Sequence, residues 1–280
     1  MNSVIIINKE KNITSRDVVN KLCKLLHTKK IGHTGTLDPL ATGVLVVCTE
    51  RYTKLVDELT SLDKEYIAKI KLGIETDTLD ITGNVVKESD EIPSKDEVVE
   101  VLNSFLGKSI QEVPKYSAIK INGKKLYEYA REGIDVELPK HEIEVFDIEL
   151  IDFINDEITF KVHVSKGTYI RSLIRDICYK LNTIGTMSSL ERTKQGKFKI
   201  EDSYTLKDIE DGNYKVLTLS DIFDYQKYEM NENEYLKVKN GNSLKCNLPD
   251  GKIVLYYNKQ EIAIYEVKNN IMKIIVMIQM

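Results

Sequence analysis

"IGHTGTLDPLATG", Ile31 to Gly43, sets three glycines, a proline, a histidine and a single carboxylate, Asp38, in a loop that runs directly into the apolar stretch "VLVVC", Val44 to Cys48. A glycine-rich turn feeding an unbroken apolar run reads as a loop hung on a buried strand. Upstream, apolar Val4 to Ile7 reads as a strand. "TSRDVVNKLCKLLH" follows as a helix with Thr14 or Ser15 as N-cap, Asp17 in its first turn, and Val18, Leu22, Leu25 and Leu26 on one face. Downstream come a short helix around Tyr52 to Leu59 and the strand "YIAKIKL", with Tyr66, Ala68, Ile70 and Leu72 on one face. The loop is thus framed by core elements. Farther on, "SKDEVVEVLNSFLG" carries a Ser94 and Glu97 capping box and predicts a helix ending at Gly107, and Asn122-Gly123 predicts a type I′ hairpin turn. "EITFKVHVS" alternates as a strand, and "YIRSLIRDICYKL" has helical spacing. Past about Ser220 the short runs "VKNGNSL", "LPDGKIVLYY", "IAIYEV" and "MKIIVMI" predict a small all-β module. The hairpin signals and amphipathic strands upstream point to an α+β fold with a mixed, mostly antiparallel sheet flanked by helices.

The chain of 280 residues is long enough to bury a full core, and its 42% apolar and 30% charged residues are those of a soluble globular protein. Cys23, Cys48, Cys178 and Cys246 stand far apart, which predicts reduced thiols rather than a zinc site or a disulfide framework. No run approaches eighteen apolar residues and no basic residue precedes the N-terminal apolar stretch, so no membrane or secretion signal is expected. The net charge of -4 argues against a nucleic-acid partner, but the distribution is uneven. Lys115 to Arg131 holds five basic residues against Glu128, and Lys161 to Lys199 holds nine against Asp176 and Glu191. Such runs read either as a basic stripe or as solvated faces.

Nucleotide-binding glycine loops are absent, "TDTLDITG" lacks the acidic spacing of a calcium loop, and the four histidines lie at no metal-ligand spacing. What remains is Asp38 before Pro39, for which a plain tight turn is the competing reading, and Arg171. Arg171 falls in the first turn of its predicted helix, where the macrodipole disfavours a cation, so it calls for a carboxylate or a phosphate. By default Tyr66 and Tyr169 are half-buried core tyrosines.

"GHTGTLDPLATGVL" resembles the active-site motif of the bacterial tRNA pseudouridine-55 synthases, the TruB family. The likeness continues through "DKEYIAKIKLGIETDT", "PKYSAIKINGKKLYEYAREG", "SKGTYIRSLIRDI" and "LERTKQGKF", in order, over residues 4 to 200. It implies the pseudouridine synthase fold over residues 1–222, a small PUA-like β domain over 223–280, and isomerisation of the T-loop uridine of tRNA to pseudouridine without cofactor or metal. Asp38 corresponds to the catalytic carboxylate, which attacks the sugar, attacks the base or removes a sugar proton. Arg171 corresponds to the arginine that holds it, Tyr66 to the tyrosine stacked on the target base, and Tyr169 to a second pocket tyrosine. His33, with Gly32 and Thr36 beside it, corresponds to the group that fills the opened T-loop, and Lys9, Lys64 and Lys166 are candidate RNA contacts. "DPLATG" resembles the stand-alone enzymes rather than the guide-RNA-dependent ones, so a cytoplasmic monomer acting on the tRNA T-arm, with no guide RNA and no membrane, is expected. Two departures stand out: "NKEKN" places Glu10 and Asn12 where the family often has Lys-Pro-x-Gly, and Glu191 replaces a frequent arginine. Asn12 tolerates the left-handed conformation a glycine takes. The rival readings are an RNA-folding factor without chemistry, and an interaction module on a decayed enzyme fold.

Overall fold

A computed structural model describes residues 2–279. Its main sheet runs in the order Ser3–Lys9, Thr42–Thr49, Gly185–Gln195, Lys64–Leu72, Glu157–Val164, Lys140–Ile154, Gly107–Glu112, with the short strands Ile31–His33 and Phe198–Lys199 paired at the side. Every pairing is antiparallel except one: Gly185–Gln195 lies parallel to Thr42–Thr49, with Glu191 opposite Thr42 and Arg192 opposite Gly43. That junction is tight. Gly43 has φ +95°, and a Cβ there would sit 2.3 Å from the Arg192 carbonyl oxygen, so only glycine fits.

The apolar strands are buried on both faces, which explains their unbroken hydrophobic runs. Ile5, Ile7, Leu45 and Val47 face a helical layer that includes Ser15–Leu25, Lys95–Asn103 and Ile170–Lys180. Val4, Ile6, Val44 and Val46 face the other way, into a cluster with Tyr52, Leu55 and Leu59 that also takes in Val254, Ile264 and Val276 from a second sheet. The second sheet has five strands, ordered Gln226–Glu229, Gly251–Tyr257, Gln260–Lys268, Ile271–Met277, Leu244–Lys245. The α+β reading holds, and the two sheets share one apolar seam.

The first helix starts as expected: Thr14 is the N-cap and forms a capping box with Asp17. Asn122 (φ 50°) and Gly123 (φ 83°) make the left-handed pair of a type I′ turn, and Asn12 takes φ 68°. Two expectations fail. The Ser94-capped helix ends at Asn103, and Gly107, with φ 91°, opens the edge strand instead of capping the helix. The C-terminal module is not all β: Val238 and Lys239 close a helix, Glu232–Lys239, whose N-cap Asn231 forms a capping box with Glu234. Helix-cap chemistry outweighed the strand-like texture of "VKNGNSL".

Candidate active site

Asp38 lies in the connection between Ile31–His33 and Thr42–Thr49, two strands that pair with one another. The connection is pinned along its length. Gln195 Nε2 donates to the carbonyl and hydroxyl oxygens of Thr34 at 3.2 and 2.7 Å. Arg192 donates from Nη2 to the Gly35 carbonyl at 3.1 Å and from Nε to the Val44 carbonyl at 2.6 Å. Ser15 Oγ accepts from Leu37 N at 2.9 Å and donates to Leu37 O at 3.1 Å. The Asn12 amide donates to Pro39 O at 2.7 Å, and the Ala41 amide to Asp38 O at 3.0 Å. A segment this thoroughly bonded presents its carboxylate in one place.

Arg171 meets Asp38 from the first turn of its helix, with Nε 2.9 Å from Oδ2 and Nη2 3.1 Å from Oδ1, a two-pronged pairing. Its remaining reach goes to the carbonyl oxygens of Thr78 (3.1 Å) and Tyr116 (3.0 Å). The guanidinium, 7% exposed, is thereby satisfied at a helix start that would repel it. The Asp38 side chain keeps 32% exposure. Burial raises its pKa above the ordinary carboxylate value, Arg171 pulls it back, and the charge of Asp80 adds a smaller upward push.

Asp38 and Arg171 open into a pocket of about 570 Å³ whose walls include Thr36, Lys64, Tyr66, Ser117, Tyr127, Tyr169 and Leu190. That volume lies within the range of sites that take a small organic group. Tyr66 arrives on Lys64–Leu72, opposite Val162 and Arg192 in the neighbouring strands. Tyr169 is fixed through its backbone by Gln111 of the edge strand, which accepts from Tyr169 N at 2.8 Å and donates to Tyr169 O at 3.1 Å. Burial raises the Tyr169 phenol's pKa, so it stays protonated and able to donate.

The other expected residues fall elsewhere. Gly32 and His33 are outside the pocket wall. Gly32 packs so that a Cβ would lie 3.2 Å from Val56. His33 Nδ1 receives the Gly35 amide at 3.4 Å, and burial, with Arg192 and Arg16 nearby, lowers its pKa and favours the neutral ring. Lys9, expected at the RNA surface, is instead fully enclosed, and Nζ donates to the carbonyls of Glu10 (2.8 Å), Ile13 (2.7 Å) and Pro39 (3.4 Å), bracing the loop. Burial brings its pKa down to about 8. Lys64 reaches the pocket wall, but its ammonium is committed to Thr60 O and Leu62 O at 2.6 and 2.5 Å. Lys166 alone of the three lysines is exposed. The basic run is likewise broken up. Arg171 and Arg192 are buried, Arg175 pairs with Glu112 and Asp176, and Lys161 pairs with Glu65. Asp77 and Asp80 cap the amides of Asn84 and Thr82. Sequence reading missed Ser15, Gln111, Arg192 and Gln195, whose partners lie far away in the sequence and are brought to them by the fold: Ser15 and Gln111 hold the backbone of Leu37 and Tyr169, Gln195 holds Thr34, and Arg192 holds Gly35 and Val44 while also reaching the pocket wall. Among the described residues no cluster of metal-ligating side chains occurs, and no helix is long and apolar enough to cross a membrane.

The architecture has counterparts among solved structures. The Cbf5 chain of a Cbf5-Nop10-Gar1 complex is similar at TM-score 0.72 and 25% identity, covering 98% of this chain and 83% of that one. A chain of an H/ACA RNP bound to a substrate RNA gives TM-score 0.71 at 24% identity, covering 98% and 84%. Fold and pocket therefore define a protein with the pseudouridine synthase fold. Residues 23–170 match the TruB family pseudouridylate synthase N-terminal domain, and residues 171–237 the tRNA pseudouridylate synthase B C-terminal domain. Proteins named tRNA pseudouridine synthase B from Fusobacterium nucleatum (46% identity, 96% of this chain and 97% of the relative) and Mycoplasma mobile (41%, 98% and 93%) align along nearly their whole length. The chain belongs to the TruB family of pseudouridylate synthases.

Proposed function

We propose that the enzyme converts the T-loop uridine at position 55 of tRNA to pseudouridine, with Asp38 as the catalytic carboxylate. The observation that carries this reading is the Asp38 carboxylate gripped by two nitrogens of Arg171 in a pocket whose walls include Tyr66 and Tyr169. The names of the relatives supply the tRNA substrate. The reaction is an isomerisation: the N1–C1′ bond breaks, the base turns, a C5–C1′ bond forms, and the C5 proton is replaced by one on N1. Nothing is oxidised or reduced, so the side chains suffice.

The target uridine is stacked within its loop and reaches Asp38 only after flipping into the pocket, where an aromatic face replaces the lost stacking. Tyr66 serves as that face, and Tyr169 lines the same pocket. Asp38 acts in its ionised form as nucleophile toward sugar or base, or as base toward a sugar proton. Arg171 favours that form against the opposing effect of burial. The protein works as a monomer in the cytoplasm, without guide RNA, and residues 223–280 form a separate small domain beside the catalytic one. Lys166, exposed and next in the chain to the pocket-lining Gly167, contacts the RNA backbone.

The test is to incubate purified protein with unmodified tRNA, no cofactor added, and map pseudouridine. Wild type is expected to modify position 55 alone, and Asp38→Asn to lose at least about 10³-fold in rate while still binding the tRNA. Pseudouridine formation by Asp38→Asn at an undiminished rate removes Asp38 from the mechanism. No product from wild type removes the reading altogether.

A further inference from the structure

Arg192 is 1% exposed, carries a permanent charge, and has no carboxylate among the ion pairs of the described residues. Burying a guanidinium in that way is costly. Its surroundings add to the cost, since its charge lowers the pKa of Lys9, His33 and Lys64. A core position held for packing alone is better filled by an apolar side chain of similar length.

What the guanidinium touches gives the reason. Nη2 donates to the carbonyl of Gly35, at the start of the catalytic loop, and Nε to the carbonyl of Val44, just past its end. The backbone of the same residue is in register with Gly43. Its carbonyl is so close that a Cβ on Gly43 would fall 2.3 Å away, and Nη1 lies 3.3 Å from where a Gly35 Cβ would be. One residue therefore grips both ends of the segment that carries Asp38, and it does so from the neighbouring strand, at the one parallel junction of the main sheet. A planar fork with donors in two directions is suited to this, and a lysine's single ammonium is not.

We propose that Arg192 is a positioning residue for the reaction: it fixes the span between Gly35 and Val44 and so sets where Asp38 stands relative to Arg171 and the flipped base. Arg192 acts through the loop and does not touch Asp38. This rests on the catalytic role given to Asp38 above, because a displacement of about 1 Å at a reacting group costs on the order of 10²-fold in rate.

The experiment compares wild type with Arg192→Met and Arg192→Lys in three measurements: single-turnover rate, tRNA affinity, and amide hydrogen exchange by peptide. Arg192→Met is expected to lose about 10²-fold in rate, with affinity held within about 3-fold. Exchange should accelerate at residues 35–41 and stay unchanged in Lys64–Leu72. Arg192→Lys, which restores the charge and one donor, should recover part of both effects, and it carries the test alone if the methionine variant does not fold. Unchanged loop exchange in a folded variant overturns the proposal. So does a rate loss matched by faster exchange throughout the sheet, which is general destabilisation. The exchange arm needs no activity: if wild type makes no pseudouridine, the functional reading fails while the loop measurement still decides whether Arg192 holds the segment.

Discussion

At Asp38 two demands oppose one another. The catalysis proposed for it needs the charged carboxylate in a pocket, and burial disfavours that form, so its pKa rises above the ordinary value of 3.8 even with Arg171 alongside. The consequence for stability has a definite sign. Between 3.8 and the raised value the folded protein holds a proton that the unfolded chain has released, so the contribution of Asp38 to stability falls as pH climbs through that window. Asp38→Asn cannot ionise and escapes this decline. Melting temperatures measured from about pH 3 to about pH 7 should therefore show the variant gaining on wild type as pH rises. A constant difference across that range contradicts the assignment. Side chains that act by their own tips were legible from the residues: Asp38 stood out as a lone loop carboxylate, and Arg171 as a cation in an unfavourable place that required a partner. The enclosure of Lys9 was not legible, because nothing local indicates that Pro39, thirty residues on, will turn its carbonyl toward the ammonium.

At the scale of elements, neighbouring residues can serve different masters. Thr14 caps the first helix, accepting from the Asp17 amide at 3.0 Å, and touches nothing in the catalytic loop. Ser15, one position later, spends its hydroxyl on Leu37, next to Asp38. Thr14→Ala should thus cost about 1 kcal/mol of stability with kcat unchanged. Ser15→Ala strands a buried amide and should cost about 1–3 kcal/mol and lower kcat as well. Chemical denaturation beside single-turnover rates separates the two, and equal kcat for both variants would refute the division. Most elements were legible because the apolar period matched the element, as in the alternating strands Lys64–Leu72 and Glu157–Val164 and the helix Ile170–Lys180. The helix Glu232–Lys239 was missed because it buries only Val238, leaving too weak an apolar stripe to be read. Gly107 was misread because a left-handed glycine serves equally to end a helix or to start a bent edge strand.

Across the whole molecule, the second sheet is locked to the first by more than the apolar seam. Glu261, on Gln260–Lys268, accepts hydrogen bonds from Tyr52 Oη at 2.7 Å and from Tyr256 Oη at 3.1 Å, and also from the amides of Leu219 (3.0 Å) and Ser220 (3.2 Å). One carboxylate thus ties together the segment after Thr42–Thr49, the connection that leads out of the catalytic part, and the second sheet itself. Glu58 adds a flanking tie to Lys252 at 2.5 Å and to Tyr225. Glu261→Ala leaves the half-buried donors at this seam without their acceptor, at about 1–3 kcal/mol for each one that water cannot reach. The apolar cluster remains, so the expected result is a lowered melting temperature together with new protease cleavage around residues 217–226, while purified variant at low temperature keeps the wild-type single-turnover rate. Loss of rate without new cleavage would mean that the second sheet acts on the pocket directly. The observed contacts argue against that: the pocket around Asp38 is lined wholly by residues between Gly35 and Arg192, and the second sheet supplies none of them.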